Sequence, residues 1–122
     1  MADADGFDGE FQRLVTEYCW GVCWGDERLN RKTRSILNLG MTAASGRMHE
    51  FELHFRGALR NGLDEDELKA ALVQIAVYCG IPAGVSAFRI AKDVLRDYRS
   101  SSDGAVDISG AGRVGPVDDD AT

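Results

Sequence analysis

The sequence predicts an all-α protein: one small helical domain of about five to six helices that assembles into an oligomer. Apolar residues recur at three- and four-residue spacing in five segments between residues 9 and 98, which is the period of an amphipathic helix. Residues that start and stop helices flank most of these segments. The 122 residues are enough for one domain and too few for two.

The two ends differ in composition from the middle, and we expect the domain to comprise residues 11–99. Residues 1–10 and 100–122 each carry a formal charge of −4, so the 89 residues between them carry +2. Such polar ends cannot bury enough apolar surface to offset their ordering entropy, and we expect them to be disordered. The slightly basic domain suits a small anion, but it lacks the interleaved basic and aromatic residues of a nucleic-acid-binding protein.

The sequence also predicts a compartment. Residues 1–10 have neither the positive nor the apolar region of a signal peptide. No run of about 18 apolar residues predicts a membrane span. Three cysteines, an odd number, fit a reducing environment, and we expect a cytoplasmic protein.

The first helical segment, about residues 9–24, has two apolar faces. One face comprises Phe11, Leu14, Val15, Tyr18 and Val22, and the other comprises Trp20 and Trp24. A small helix with two apolar faces usually buries one of them against another chain. Cys19 and Cys23 are four residues apart, and we interpret them as small apolar core residues, with a redox pair as the alternative.

The second segment is predicted from Asn30, a suitable N-cap, to Ser45, with Gly46 as a left-handed C-cap. One stripe of this helix is polar and includes Arg31, Arg34, Ser35 and Asn38. The opposite face is predicted to pack, and its small residues would let a neighbouring helix approach closely. It comprises Ile36, Leu37, Gly40, Met41, Ala43 and Ala44. The planar guanidinium of arginine suits a carboxylate clamp, and we favour Arg34 over Arg31 for this role. Alternatively, the stripe faces solvent or forms intersubunit salt bridges.

The fourth segment begins at Asp64, which has capping-box spacing with Glu67. Residues 72–78 also have the composition of a strand, but this cap starts a helix directly before them and no partner strand is evident. The resulting helix is apolar on nearly every side and should be covered on every side. About 90 ordered residues cannot easily surround such a helix, so the sequence predicts a homo-oligomer. A fifth segment runs from Pro82 to about Tyr98.

The third segment, about residues 47–60, contains the leading catalytic candidate, His54. The pKa of an unperturbed histidine lies near neutrality, which suits a proton donor. Glu50 lies one turn earlier on the same face, where it can orient the imidazole and hold a proton on it. From spacing alone, a buried structural histidine is an equally good interpretation.

Three stretches, residues 18–41, 52–69 and 74–95, together resemble the carboxymuconolactone decarboxylase family. The most specific pieces are Arg-x-x-Arg-Ser at 31–35, the unit formed by Glu50, His54 and Asn61-Gly62, and Tyr-Cys-Gly-Ile-Pro-Ala at 78–83. The resemblance implies a helical subunit in a ring-like hexamer, a trimer of dimers. It also implies a decarboxylase that uses no cofactor or metal and converts 4-carboxymuconolactone to 3-oxoadipate enol-lactone and CO2 in aromatic catabolism, the β-ketoadipate pathway. The site residues expected from it are His54 and Glu50 as catalytic, with Arg34, Arg31, Asn38, Arg47 and Tyr78 binding a small anionic cyclic substrate.

The chain departs from the family pattern at two places. Asp26-Glu27-Arg28-Leu29 stands where the decarboxylases usually have Arg-Pro-Gly-Leu, so an enzyme recruited to another substrate in a biosynthetic pathway is an alternative. The peroxide-reducing branch needs Cys-x-x-Cys before the histidine, but those positions hold Arg47 and Glu50. A thiol peroxidase using Cys19 and Cys23, or a non-enzymatic scaffold, is a further alternative.

Overall fold

A computed structural model describes residues 6–104, with side chains as far as Ser101. Helix α1 (Gly9–Val15) continues directly into a π-helix (Thr16–Cys23), and we call these residues, 9–23, the arm. Four helices follow and form the bundle: α2 (Arg31–Ala44), α3 (Met48–Arg60), α4 (Glu65–Cys79) and α5 (Ile81–Gly104). The described residues contain no strand, which confirms the all-α fold. Disorder was predicted for residues 1–10 and 100–122, but residues 9–10 and 100–104 are helical, and residues 1–5 and 105–122 lie outside the described part.

The helix boundaries follow from the predicted caps. The Asn30 side chain accepts a hydrogen bond from the Thr33 backbone at 2.8 Å. Asp64 and Glu67 form the reciprocal capping box, at 2.8 and 2.9 Å. Because this cap satisfies backbone donors at the start of α4, the apolar run that also resembled a strand continues as helix. Helix α5 extends to Gly104, beyond the end predicted near Tyr98.

The bundle encloses one apolar core. Its most buried large side chains come from all four helices: Leu39, Phe51, Phe55, Leu68 and Val94. Helix α2 packs on α3 and α4, and α5 packs on α3 and α4. Helices α4 and α5 approach closely at Gly84, where an added Cβ would lie 2.6 Å from the Ala76 Cβ.

Helix α2 is turned differently from the prediction. Ser35, assigned to the polar stripe, is buried, and its hydroxyl accepts a hydrogen bond from the Asn61 side chain at 2.9 Å. Leu37 and Met41, assigned to the packed face, are exposed, and a Cβ at Gly40 would have no neighbour within 4 Å. The prediction was wrong because a small hydroxyl with a hydrogen-bond partner can enter the core.

Helix α4 is not covered on every side within one subunit, in agreement with the expectation that about 90 ordered residues cannot easily surround it. Leu68, Leu72 and Ile75 face the core, whereas Val73 and Val77 are exposed. The other helices of the bundle cover only the inward face of α4, since none of the described elements lies on its outer face. The homo-oligomer inferred from this helix remains a prediction.

The arm contains no buried residue. Trp20 and Trp24 stack with ring centroids 5.5 Å apart, but both are only half-buried. Cys19 and Cys23 are exposed, so their interpretation as core residues is wrong for the single subunit. The physical reason is that the arm contributes nothing to the bundle core.

None of the helices between residues 6 and 104 combines the length and the apolar composition that a membrane span requires.

Candidate active site

Helix α3 carries both catalytic candidates of the site. Its inward positions, Phe51 and Phe55, are fully buried and fix the rotation of the helix against the bundle. Glu50 and His54, one turn apart, are consequently half-buried at the edge of the core. Glu50 and His54, which helical spacing places on one face, therefore share a partly desolvated environment.

The electrostatic state of His54 reflects two opposing causes. Burial lowers the pKa of the imidazole below its ordinary value, while the negative charge of Glu50 raises it by a smaller amount. Since an unperturbed histidine titrates at about 6.5, His54 is neutral at pH 7. A neutral imidazole has one N–H donor and one acceptor nitrogen, and the acceptor nitrogen can take up a proton that the resulting imidazolium later delivers.

Arg34 connects α2 to the loop that follows the arm. Its Nη2 donates to the Asp26 carbonyl at 2.8 Å, and its Nη1 donates to the Cys23 sulfur at 3.6 Å. Its Nε is buried and has no hydrogen-bond partner among the described residues. The guanidinium therefore holds the loop in place, a contact that the stripe pattern did not predict.

The loop that departs from the family pattern is internally ordered. Asp26 accepts hydrogen bonds from the Arg28 guanidinium at 2.6 to 3.1 Å and from the Arg28 backbone at 3.0 Å. These hydrogen bonds lower the pKa of Asp26 to about 2. Sequence reasoning identified the loop but missed this pair, although an Asp that bonds the backbone two residues on is a recognisable turn signal.

The remaining candidates are dispersed in the single subunit. Arg31 and Arg47 are exposed, and neither forms an ion pair with another described residue. Asn38 is half-buried on α2, and Tyr78 is exposed near the end of α4. No hydrogen bond or ion pair within residues 6–101 joins any of these four, or Arg34, to Glu50 or His54. Their role in substrate binding therefore remains a prediction.

The donor side chains do not form an evident metal centre. Between residues 6 and 101, no group of three or more His, Cys, Asp or Glu side chains is placed to hold a metal ion.

The chain is similar to two proteins named as decarboxylases. It is 32% identical over 97 residues to 4-carboxymuconolactone decarboxylase of Acinetobacter baylyi, covering 80% of this chain and 72% of that protein. It is 37% identical over 97 residues to nitrosuccinic acid decarboxylase npaB of Metarhizium robertsii, covering 80% and 68%.

An uncharacterized 15.0 kDa protein of Paracoccus denitrificans is 31% identical over 85 residues, covering 68% of this chain and 63% of that protein. No solved structure matches the chain. The family model of the carboxymuconolactone decarboxylases matches residues 9–93, which include the arm and most of the bundle. With two decarboxylases among its relatives, the protein is an enzyme of the carboxy-lyase class. The chain belongs to the carboxymuconolactone decarboxylase family.

Proposed function

We propose that the protein decarboxylates a small carboxylated lactone without a cofactor, converting 4-carboxymuconolactone to 3-oxoadipate enol-lactone and CO2. The observation that carries this proposal is the half-buried Glu50–His54 pair on α3. The relative from Acinetobacter baylyi, named for this substrate, supports it. The odd number of three cysteines favours a reducing compartment, and we propose the cytoplasm.

The proposed reaction requires little of the protein. The departing carboxylate sits on a ring carbon that is conjugated, through a C=C bond, to the lactone carbonyl. When the bond between this carbon and the carboxylate breaks, its electron pair moves onto the carbonyl oxygen and CO2 leaves. A proton is then added to carbon, so the substrate itself is the electron acceptor. The protein must stabilise the dienolate oxygen and deliver one proton.

His54 is the proposed proton donor. In the free protein it is neutral, because burial lowers its pKa more than Glu50 raises it. A bound substrate brings at least one further carboxylate to this region, and a nearby negative charge favours the imidazolium form. Substrate binding would thus load His54 with the proton that it later delivers, and Glu50 would orient the ring.

Arg34 and its loop are proposed to bind the substrate from the side of α2. Arg34 already holds the Asp26 carbonyl, so the position of the loop depends on this side chain. Asn38 lies one helical turn after Arg34, and Arg31 lies one turn before it. Arg47, at the start of α3, and Tyr78 complete the proposed binding set, Tyr78 as a pocket hydroxyl.

A different substrate is the main alternative. The relative from Metarhizium robertsii is named for nitrosuccinic acid, in which a nitro group can accept electrons as the lactone carbonyl does. The Asp26–Arg28 pair stands in the loop where this chain departs from the family pattern, which favours a changed substrate. A biosynthetic rather than catabolic role would follow from such a change.

The test is a CO2-release assay of the purified chain with 4-carboxymuconolactone and, in parallel, nitrosuccinic acid. We expect His54→Gln to lower kcat by about 10²- to 10⁴-fold, the usual contribution of general acid–base catalysis. Glu50→Gln should lower kcat and shift its pH profile. His49→Gln is the matched control, since His49 is an exposed histidine on the same helix, and it should retain activity.

Turnover of nitrosuccinic acid without turnover of 4-carboxymuconolactone would identify nitrosuccinic acid, and not the lactone, as the substrate. Full activity of a folded His54→Gln variant would contradict the proposed proton donor.

A thiol peroxidase remains a second candidate because Cys19 and Cys23 are exposed. Peroxide reduction that disappears in Cys19→Ser/Cys23→Ser, in the absence of any decarboxylation, would support that candidate instead.

We also propose that the protein is a homo-oligomer, as a hexamer built from three dimers. The exposed apolar residues of the arm and of α4 support this proposal, since isolated subunits rarely leave large apolar patches in water.

A further inference from the structure

We propose that the arm of one subunit packs against the α4–α5 face of a second copy of this chain. This inference deepens the proposed homo-oligomer and names the two surfaces that meet in it. It uses two apolar surfaces that the single subunit leaves uncovered, one on the arm and one on the bundle.

The first surface is one side of the arm. Phe11, Leu14, Tyr18 and Val22 are three or four residues apart and therefore lie on one side of the helix. Each is between 57 and 66% exposed. An isolated helix of about 15 residues is marginal in water, so the arm needs a tertiary partner for this side.

The second surface is a groove between α4 and α5 of about 510 Å³. Ala76 and Gly84 lie where the two helices approach closely, and Ile81, Val85 and Phe88 provide apolar lining. Ile81 and Val85 are 68 and 55% exposed. This apolar groove can receive the side of a helix, the common mode of helix recognition.

The charges of the two surfaces are complementary. Glu10 and Glu17, seven residues apart, flank the apolar side of the arm, accompanied by Arg13. Arg89 and Lys92 also line the groove, and none of its lining residues is acidic. Opposite charges at the edge of an apolar contact favour the correct partner and register.

The occupant is a second copy and not the arm of the same chain. Within one subunit, the apolar side of the arm and the groove are both exposed. The end of the arm is held at α2 by the contact of Arg34 with Cys23 and Asp26. A reciprocal exchange, in which each arm enters the other subunit's groove, buries both surfaces in a closed symmetric pair.

The test uses charge reversal in the full chain, with molar mass measured by sedimentation across a range of concentrations. Glu10→Lys/Glu17→Lys and Arg89→Glu/Lys92→Glu should each weaken self-association at least tenfold. An equimolar mixture of the two variants should recover wild-type association, because each arm then meets a groove of opposite charge. Glu27→Lys, in the loop outside both surfaces, is the control and should associate like wild type.

Several results would overturn the inference. Wild-type protein that remains monomeric would contradict both the contact and the proposed homo-oligomer. An oligomer that neither charge reversal weakens would contradict only the contact. If combining all four substitutions in one chain restores association but mixing the two variants does not, the arm occupies its own groove. In each case the decarboxylation assay above separately tests the proposed chemistry.

Discussion

The arm and the bundle are both amphipathic and helical, yet only the bundle has a core. On α3, Phe51 and Phe55 are fully buried, whereas Phe11 of the arm, in an equally regular pattern, is 60% exposed. The difference is one of partners, since four helices cover one another in the bundle, whereas no residue of the arm is buried. Apolar periodicity therefore predicts that a helix has a face to bury, but not which molecule buries it.

The largest expected effect is a difference in the free energy of unfolding between two variants, one at a phenylalanine of the bundle and one at a phenylalanine of the arm. Phe55→Ala should lower the free energy of unfolding by about 3–5 kcal/mol, because it leaves a cavity in the bundle core. Phe11→Ala should change it by less than about 0.5 kcal/mol in dissociated subunits, since its side chain is already exposed. Urea unfolding at low protein concentration measures both values. Equal losses for the two variants would show that the arm belongs to the core of its own subunit.

A smaller effect concerns close packing within the bundle. Gly84→Ala should lower the free energy of unfolding by about 1–3 kcal/mol, because the new Cβ would collide with Ala76 and push α4 from α5. Gly40→Ala on α2 is the control and should stabilise the protein by up to about 1 kcal/mol, through helix propensity alone. Thermal unfolding distinguishes the two signs. Stabilisation by Gly84→Ala would contradict the close approach of α4 and α5.

The smallest effect is the pH dependence contributed by His54. Its folded-state pKa is lowered, so the unfolded chain binds more protons at acid pH. Its contribution to stability is therefore complete above the unfolded value of about 6.5 and is lost as the pH falls through the folded value. His54→Gln should unfold with a shallower pH dependence than wild type between pH 8 and 5. Identical profiles for His54→Gln and wild type would contradict the lowered pKa.

Much of the candidate site could be predicted because it is local. Glu50 and His54 are one turn apart on one helix, so their proximity depends only on helical geometry. The contact of Arg34 with the Asp26 carbonyl and Cys23 joins segments 8 to 11 residues apart across a loop, and helical spacing does not predict it. The burial of Ser35 also depends on a distant residue, because its partner Asn61 comes from the end of α3.

The sequence by itself determined where the helices begin. The Asn30 cap and the Asp64–Glu67 capping box satisfy backbone donors through local hydrogen bonds, which need no tertiary contact. It also determined the Glu50–His54 pair and the family. Only the tertiary structure decided which face of each helix is covered, because burial depends on how much surface the neighbouring helices can reach. In the tertiary structure Ser35 is buried, whereas Val77 and the two cysteines of the arm are exposed. The arm and the α4–α5 groove are also left as two apolar surfaces that no part of the same subunit covers.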